Sequence, residues 1–187
     1  VTKQRTTHQN IETMLKKMLF AALALGFSLA AGAQEPAGKV KVGDKLYDVE
    51  LHDTEGNYSY LADYAGQDGK YLLVLFWTSN CPRCHASFPE VAKYAEKYAD
   101  KLSVVGVMLS DNHDGWMEMY KYRKPFEWPN LSDGKLLKDG AAVPYGIGLY
   151  PTFVLVEPEE GKIVRMWSGF KLDRFQTEMQ PYFAPVE

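Results

Sequence analysis

The sequence predicts an α/β fold: a central mixed β-sheet flanked by helices on both faces, with an extra N-terminal β-hairpin. Three observations predict it. Two apolar runs of strand length, "KYLLVLFWT" and "KLSVVGVMLS", bracket a helical pattern from Pro82 to Asp100, which makes a strand–helix–strand crossover. Two later runs, "TFVLVEP" and "KIVRMWSG", are joined by Glu159-Glu160-Gly161 and read as a hairpin. The resulting order, hairpin, β, α, β, α, β, β, α, belongs to a layered domain whose sheet carries helices on either side.

The N-terminus stands apart from that domain. Met14 to Met18 ("MLKKM") is a short basic stretch, Leu19 to Ala31 is apolar, and Ala31-Gly32-Ala33 is a small-residue cleavage pattern before Gln34. The apolar run is shorter than the roughly 18–20 residues a membrane span requires. Residues 14–33 therefore read as a signal peptide cleaved after Ala33, and residues 1–13 as an upstream extension or a long basic lead. An uncleaved anchor is the competing reading. Cleavage removes Lys3, Arg5, Lys16, Lys17 and Glu12, so the formal charge moves from −3 to −6. An acidic chain with no basic patch gives no footprint for nucleic acid. Export would carry it to a periplasmic compartment where cysteines can be oxidised.

Residues 34–41 read as a linker and 42–187 as one domain, a length sufficient for a sizeable core. Val49 and Leu51 alternate with polar residues, Asp53 to Asn57 reads as a turn, and Tyr58 to Leu61 resumes the alternation before a helical turn closing at Gly66. "KYLLVLFWT" suits a central strand buried on both faces. In the following helix Phe88, Val91, Ala92, Ala95 and Tyr98 recur at helical spacing. Pro82 fits its first turn, whereas Pro89 is expected to kink it. After the second buried strand, "HDGWMEMYKYRKP" predicts a shorter helix ending before Pro125, and Leu136 to Pro151 a broken helical turn and loop. "LDRFQTEMQPYF" is a closing amphipathic helix.

Both cysteines of the chain fall at one place, Cys81-Pro82-Arg83-Cys84-His85, where the first central strand gives way to its helix. Open α/β sheets place their sites at the C-terminal ends of strands. As a bare pattern C-x-x-C-H attaches a c-type haem, with His85 and one of Met108, Met117, Met119 or His113 as axial ligands. As a helix-start dithiol it performs thiol–disulfide exchange. The N-terminal Cys81 then meets unpaired N–H groups and the positive end of the helix dipole, which favour its thiolate, while Cys84 lies one turn inside and resolves the mixed disulfide. Arg83 adds a positive charge and argues for a more oxidising pair. His85, four residues after Cys81, is on the same helix face, placed either for an imidazolium–thiolate contact or as an exposed residue of no consequence. A zinc site lacks the second half of the usual ligand spacing. A peroxiredoxin-type peroxidase would use Thr78, but has Val74 where that site carries proline.

Taken together, "VGDKLYDVELHDTEGNYSYLADYAG", "LLVLFW", "CPRCHASFPEV" and "LYPTFVLVEPEEGKIV" resemble, in order and at these distances, the thioredoxin-fold TlpA/ResA-like exported thiol–disulfide oxidoreductases of the redoxin (AhpC/TSA-like) superfamily. The resemblance implies a thioredoxin-like fold and a disulfide reductase that acts on exported protein disulfides, with Cys81 and Cys84 as the catalytic pair and the mixed disulfide on Cys81. It implies no cofactor beyond that redox-active disulfide, and no metal. It implies as partners protein thiols or disulfides and an upstream membrane or periplasmic electron donor, the chain itself being a monomer. Tyr150-Pro151-Thr152 resembles the family's cis-proline segment facing the cysteines, and Trp77, Asn80, Pro82, Arg83 and His85 complete the expected site. Three positions depart from the pattern. Asn80 stands where the family usually has Trp, Leu75 where thioredoxins have a buried Asp, and Ser87 where ResA-type members have Glu. These departures leave open the proton route and the direction of the reaction.

Overall fold

In the computed structural model of the chain, residues 39–110, 114–118, 128–137 and 139–185 are described. The segment read as a signal peptide, the residues before it, most of the expected linker, and most of the helix expected over 113–125, with His113 and Met119, lie outside the described residues.

Seven strands form one mixed sheet: β1 (Glu50–His52), β2 (Tyr58–Tyr60), β3 (Tyr71–Trp77), β4 (Leu102–Met108), β5 (Asn130–Ser132), β6 (Thr152–Val156) and β7 (Ile163–Ser168). Their spatial order is β2-β1-β5-β4-β3-β6-β7. The pairs β3–β4 and β4–β5 are parallel and the others antiparallel. Helix α1 (Pro82–Lys97) makes the crossover from β3 to β4, and α2 (Leu172–Met179) closes the chain.

The continuous apolar run in β3 has the physical reason expected of it. Leu73, Leu75 and Trp77 face a core shared with Phe88, Val91 and Tyr94 of α1 and Phe175 and Met179 of α2. Leu72, Val74 and Phe76 face the opposite core, with Val105, Val107 and Tyr145. That second face is covered by 3-10 turns at Leu61–Tyr64 and Gly140–Ala142. The hairpin β1–β2 turns at Asp53, whose carboxylate accepts the N–H groups of Glu55 and Asn57 and the Asn57 side-chain amide. These bonds, the Asn57 side chain first, hold its carboxyl below the usual range.

Two elements differ from expectation. α1 runs without interruption through Pro89 and ends at Lys97. The short strand β5 has no counterpart in the sequence reading, because three residues containing Asn and Ser show no periodicity. It is nevertheless fully buried, and it joins the hairpin to the central sheet through His52 opposite Ser132 and Gly106 opposite Asn130.

The β6–β7 turn is stitched by one side chain. The Glu157 carboxylate accepts N–H bonds from Glu159, Glu160 and Lys162 at 2.8–2.9 Å. Its carboxyl is held down to about 2, first by the side-chain hydrogen bond with Glu159 and then by the Lys162 N–H. The same contact raises Glu159. A depressed carboxyl contributes stability that is fully present above the ordinary carboxylate range and lost as pH falls through its folded value. Glu157→Ala is therefore expected to cost about 1 kcal/mol near neutrality, after allowance for solvent screening. Thermal melts of both proteins should show that gap closing as the pH approaches about 2.

Candidate active site

The site is built where β3 ends. After Trp77 the chain turns through residues 78–80, closed by the Cys81 N–H donating to the Thr78 carbonyl at 3.2 Å. Cys81 caps α1 with extended backbone (φ −101°, ψ 104°), and Pro82 takes the first helical position, where no N–H is required. The Cys84 N–H is shared between the Cys81 carbonyl at 3.0 Å and Cys81 Sγ at 3.1 Å, so the sulfur takes part of a first-turn donor. Cys81 and Cys84 form a disulfide with their Cα atoms 5.2 Å apart. Their environments differ. Cys81 is half-buried, whereas Cys84 is fully buried in the core with Trp77 and Phe88. Asn80, Pro82 and Arg83 are exposed around the half-buried sulfur.

The second wall comes from the start of β6. Phe76 pairs with Thr152, which sets Pro151 beside Trp77 at the same end of the sheet. The Tyr150-Pro151 peptide is cis. The Pro151 carbonyl accepts the Gly169 N–H at 2.7 Å. Thr152 Oγ1 donates to the Leu149 carbonyl at 2.8 Å, so in its 2.7 Å bond with Ser168 the serine hydroxyl is the donor. Tyr150 packs against both cores, and its hydroxyl points to the Leu109 carbonyl at 3.4 Å. Burial raises its phenol above the ordinary value. Trp77 is fully buried, edge-on to Phe88, so it supports α1 from below.

The positions of the two customary carboxylates are occupied by groups without acidic protons. Leu75 is fully buried, and Ser87, equally buried, donates its hydroxyl to the Cys84 carbonyl at 2.7 Å. The buried carboxylate of α1 is Glu90 instead, which accepts from Gln176 of α2 at 3.1 Å and lies 3.7 Å from Lys93. His85 is half-buried. Its Nε2 lies 2.7 Å from the Ser79 carbonyl, and its ring leans on Phe88. A carbonyl only accepts, so Nε2 carries the proton. That engagement weighs against an iron-bound His85. Ser79 had no signal in the sequence, because the group it contributes is a backbone oxygen. Among the described residues no group of three or more His, Cys, Asp or Glu is gathered as a metal site would require.

The cysteine pair at a helix start agrees with the comparisons to known proteins. The sequence profile of the AhpC/TSA family matches residues 42–166. The chain belongs to this family. Among its curated relatives, the thioredoxin-like protein YneN of Bacillus subtilis is 28% identical over 158 residues, covering 80% of this chain and 88% of that protein. The thiol-disulfide oxidoreductase ResA of Halalkalibacterium halodurans is 23% identical over 164 residues, covering 88% of this chain and 89% of that one. Among solved structures, one assigned as the thiol:disulfide interchange protein DsbE of Chlorobium tepidum superposes with a TM-score of 0.63 at 27% identity, over 76% of this chain and 95% of that chain. The thioredoxin domain of a Bacteroides vulgatus thiol-disulfide oxidoreductase gives 0.57 at 25% identity, over 71% and 91%. The fold of this AhpC/TSA member is thioredoxin-like, and its activity is that of a thiol–disulfide oxidoreductase.

Proposed function

We propose that this oxidoreductase is a disulfide reductase for exported proteins, working through a mixed disulfide on Cys81. The observation that carries the reading is the asymmetry of the pair: an accessible sulfur that receives a helix N–H, and a buried one behind it. In the reduced protein the Cys81 thiolate attacks one sulfur of a substrate disulfide and releases the other as a thiolate. Cys84 then attacks Cys81 Sγ, breaking the mixed disulfide and freeing the second substrate sulfur. The substrate gains two electrons, and the Cys81–Cys84 disulfide is left to be reduced by an upstream membrane or periplasmic dithiol donor. With Leu75 and Ser87 in place of carboxylates, the Cys84 proton goes to the departing substrate thiolate.

Substrate docks as an extended strand along Tyr150, whose main-chain N–H and C=O take no bond from the described residues. Trp77 holds the helix, and Asn80, Pro82, Arg83 and Thr152 shape the rim. The redox group is the disulfide itself, without metal or other cofactor, in a monomer. Export rests on residues 14–33 as a cleaved signal, and no helix among the described residues is long and apolar enough to cross a membrane. N-terminal mapping of the protein from its native cell should begin at Gln34; a start upstream of Met14 would overturn the signal assignment.

The direction is tested by equilibrating the dithiol against glutathione and reading the alkylated fraction by mass. A potential near roughly −270 mV supports a reductase, and one well above about −200 mV would make the protein an oxidase.

A further inference from the structure

We infer that His85 is a positioning residue for the attacking sulfur, acting through the Ser79 carbonyl and not through its own charge. The inference rests on the dithiol reading of Cys81. Three residues, 78–80, link β3 to the Cys81 cap of α1, and their conformation decides where Cys81 Sγ points. One internal bond, Cys81 N–H to Thr78 O, closes it as a tight turn. The carbonyl of Ser79, inside that turn, is taken by His85 Nε2–H at 2.7 Å from the second turn of α1.

The imidazole thus ties the loop to the helix whose first N–H groups serve the sulfur. Phe88 braces the ring from behind, with centroids 5.5 Å apart. Two contacts on opposite sides of Cys81 then hold one geometry: Ser79 O to His85 before it, and Cys84 N–H to Cys81 Sγ after it. Without the first, residues 78–80 regain backbone freedom, and the extended capping conformation of Cys81 is no longer the only one populated. The sulfur then spends less time against the Cys84 N–H, and the thiolate loses that donor.

This role separates from an electrostatic one by side-chain shape. Glutamine places an amide N–H at about the reach of Nε2 but carries no charge. Asparagine is one methylene shorter and falls short of the Ser79 oxygen. The experiment alkylates the fully reduced protein with iodoacetamide at neutral pH and follows Cys81 by mass, alongside thermal melts of each variant. His85→Ala and His85→Asn are expected to slow Cys81 alkylation about fivefold, the population change that one net hydrogen bond commands. His85→Gln should stay within about twofold of the wild-type rate on the same basis.

Alkylation of His85→Ala at the wild-type rate would overturn the inference, as would a glutamine variant as slow as the alanine one, which would assign the effect to charge. If His85→Ala does not fold, the contrast between the glutamine and asparagine variants decides alone. The underlying reading fails differently: wild-type Cys81 reacting no faster than a free cysteine would overturn the dithiol assignment itself.

Discussion

Cys84→Ser is expected to arrest the protein as a stable mixed disulfide with its substrate, while Cys81→Ser abolishes exchange down to the uncatalysed background. The contrast follows from the burial of the two sulfurs. Cys81 is half-buried and caps α1, so a substrate sulfur reaches it, whereas Cys84 is sealed beneath the helix among Trp77, Phe88 and Phe153. Attack from outside must begin at Cys81. Release must come from Cys84, the internal thiol, which the structure holds bonded to Cys81. Serine in place of Cys84 keeps the backbone N–H that serves Cys81 Sγ, so the first step proceeds and the second cannot. Non-reducing electrophoresis with mass identification reads both outcomes. Adducts formed equally by the Cys81→Ser protein through Cys84 would reverse the roles of the pair, and their absence from the Cys84→Ser protein would remove the mixed-disulfide route.

How far this site could be read from the sequence depends on where each contact partner lies along the chain. The frame was legible because its signals are local. The apolar run of β3 announces a strand buried on both faces, and Pro82 announces a helix start at which Cys81 must be the cap. Tyr150-Pro151 was legible only through family resemblance, since nothing in the residues themselves says which wall they face. β5 was not legible: its burial comes from β4 and β1 on either side, and three residues carry no period of their own. The position of His85 beside Cys81 follows from helical spacing, but its partner does not. Ser79 is recruited through its carbonyl, and any residue at that position offers the same oxygen. Ser87 and Leu75 were visible as departures from a pattern, but the hydrogen bond from Ser87 to the Cys84 carbonyl emerges only from the folded helix.

Gly106 presents the same limit in the core, and its substitution carries the second large effect. The residue sits in the middle of β4, between Leu75 of β3 and Asn130 of β5. A glycine within a strand marks a close approach of another group, though not which group approaches. A Cβ built at Gly106 would lie 2.1 Å from Asn130 Oδ1 and 3.1 Å from Trp77 Nε1. Neither neighbour yields easily. Asn130 is buried and its amide N–H donates to the Trp128 carbonyl, while Trp77 is fully buried against α1. Gly106→Ala is therefore expected to destabilise the protein by about 1–3 kcal/mol, as overpacking of a closed core does. Because Trp77 leads directly into the loop before Cys81, the displaced ring should also loosen that loop and slow Cys81 alkylation. The cause is isolated by a second substitution. Asn130→Ala removes the obstructing oxygen, so the cost of Gly106→Ala should shrink in that background, with a coupling on the order of 0.5–3 kcal/mol between touching residues. Denaturant unfolding of the four proteins measures it, and strictly additive losses would show that the approach of Asn130 is not what requires glycine there.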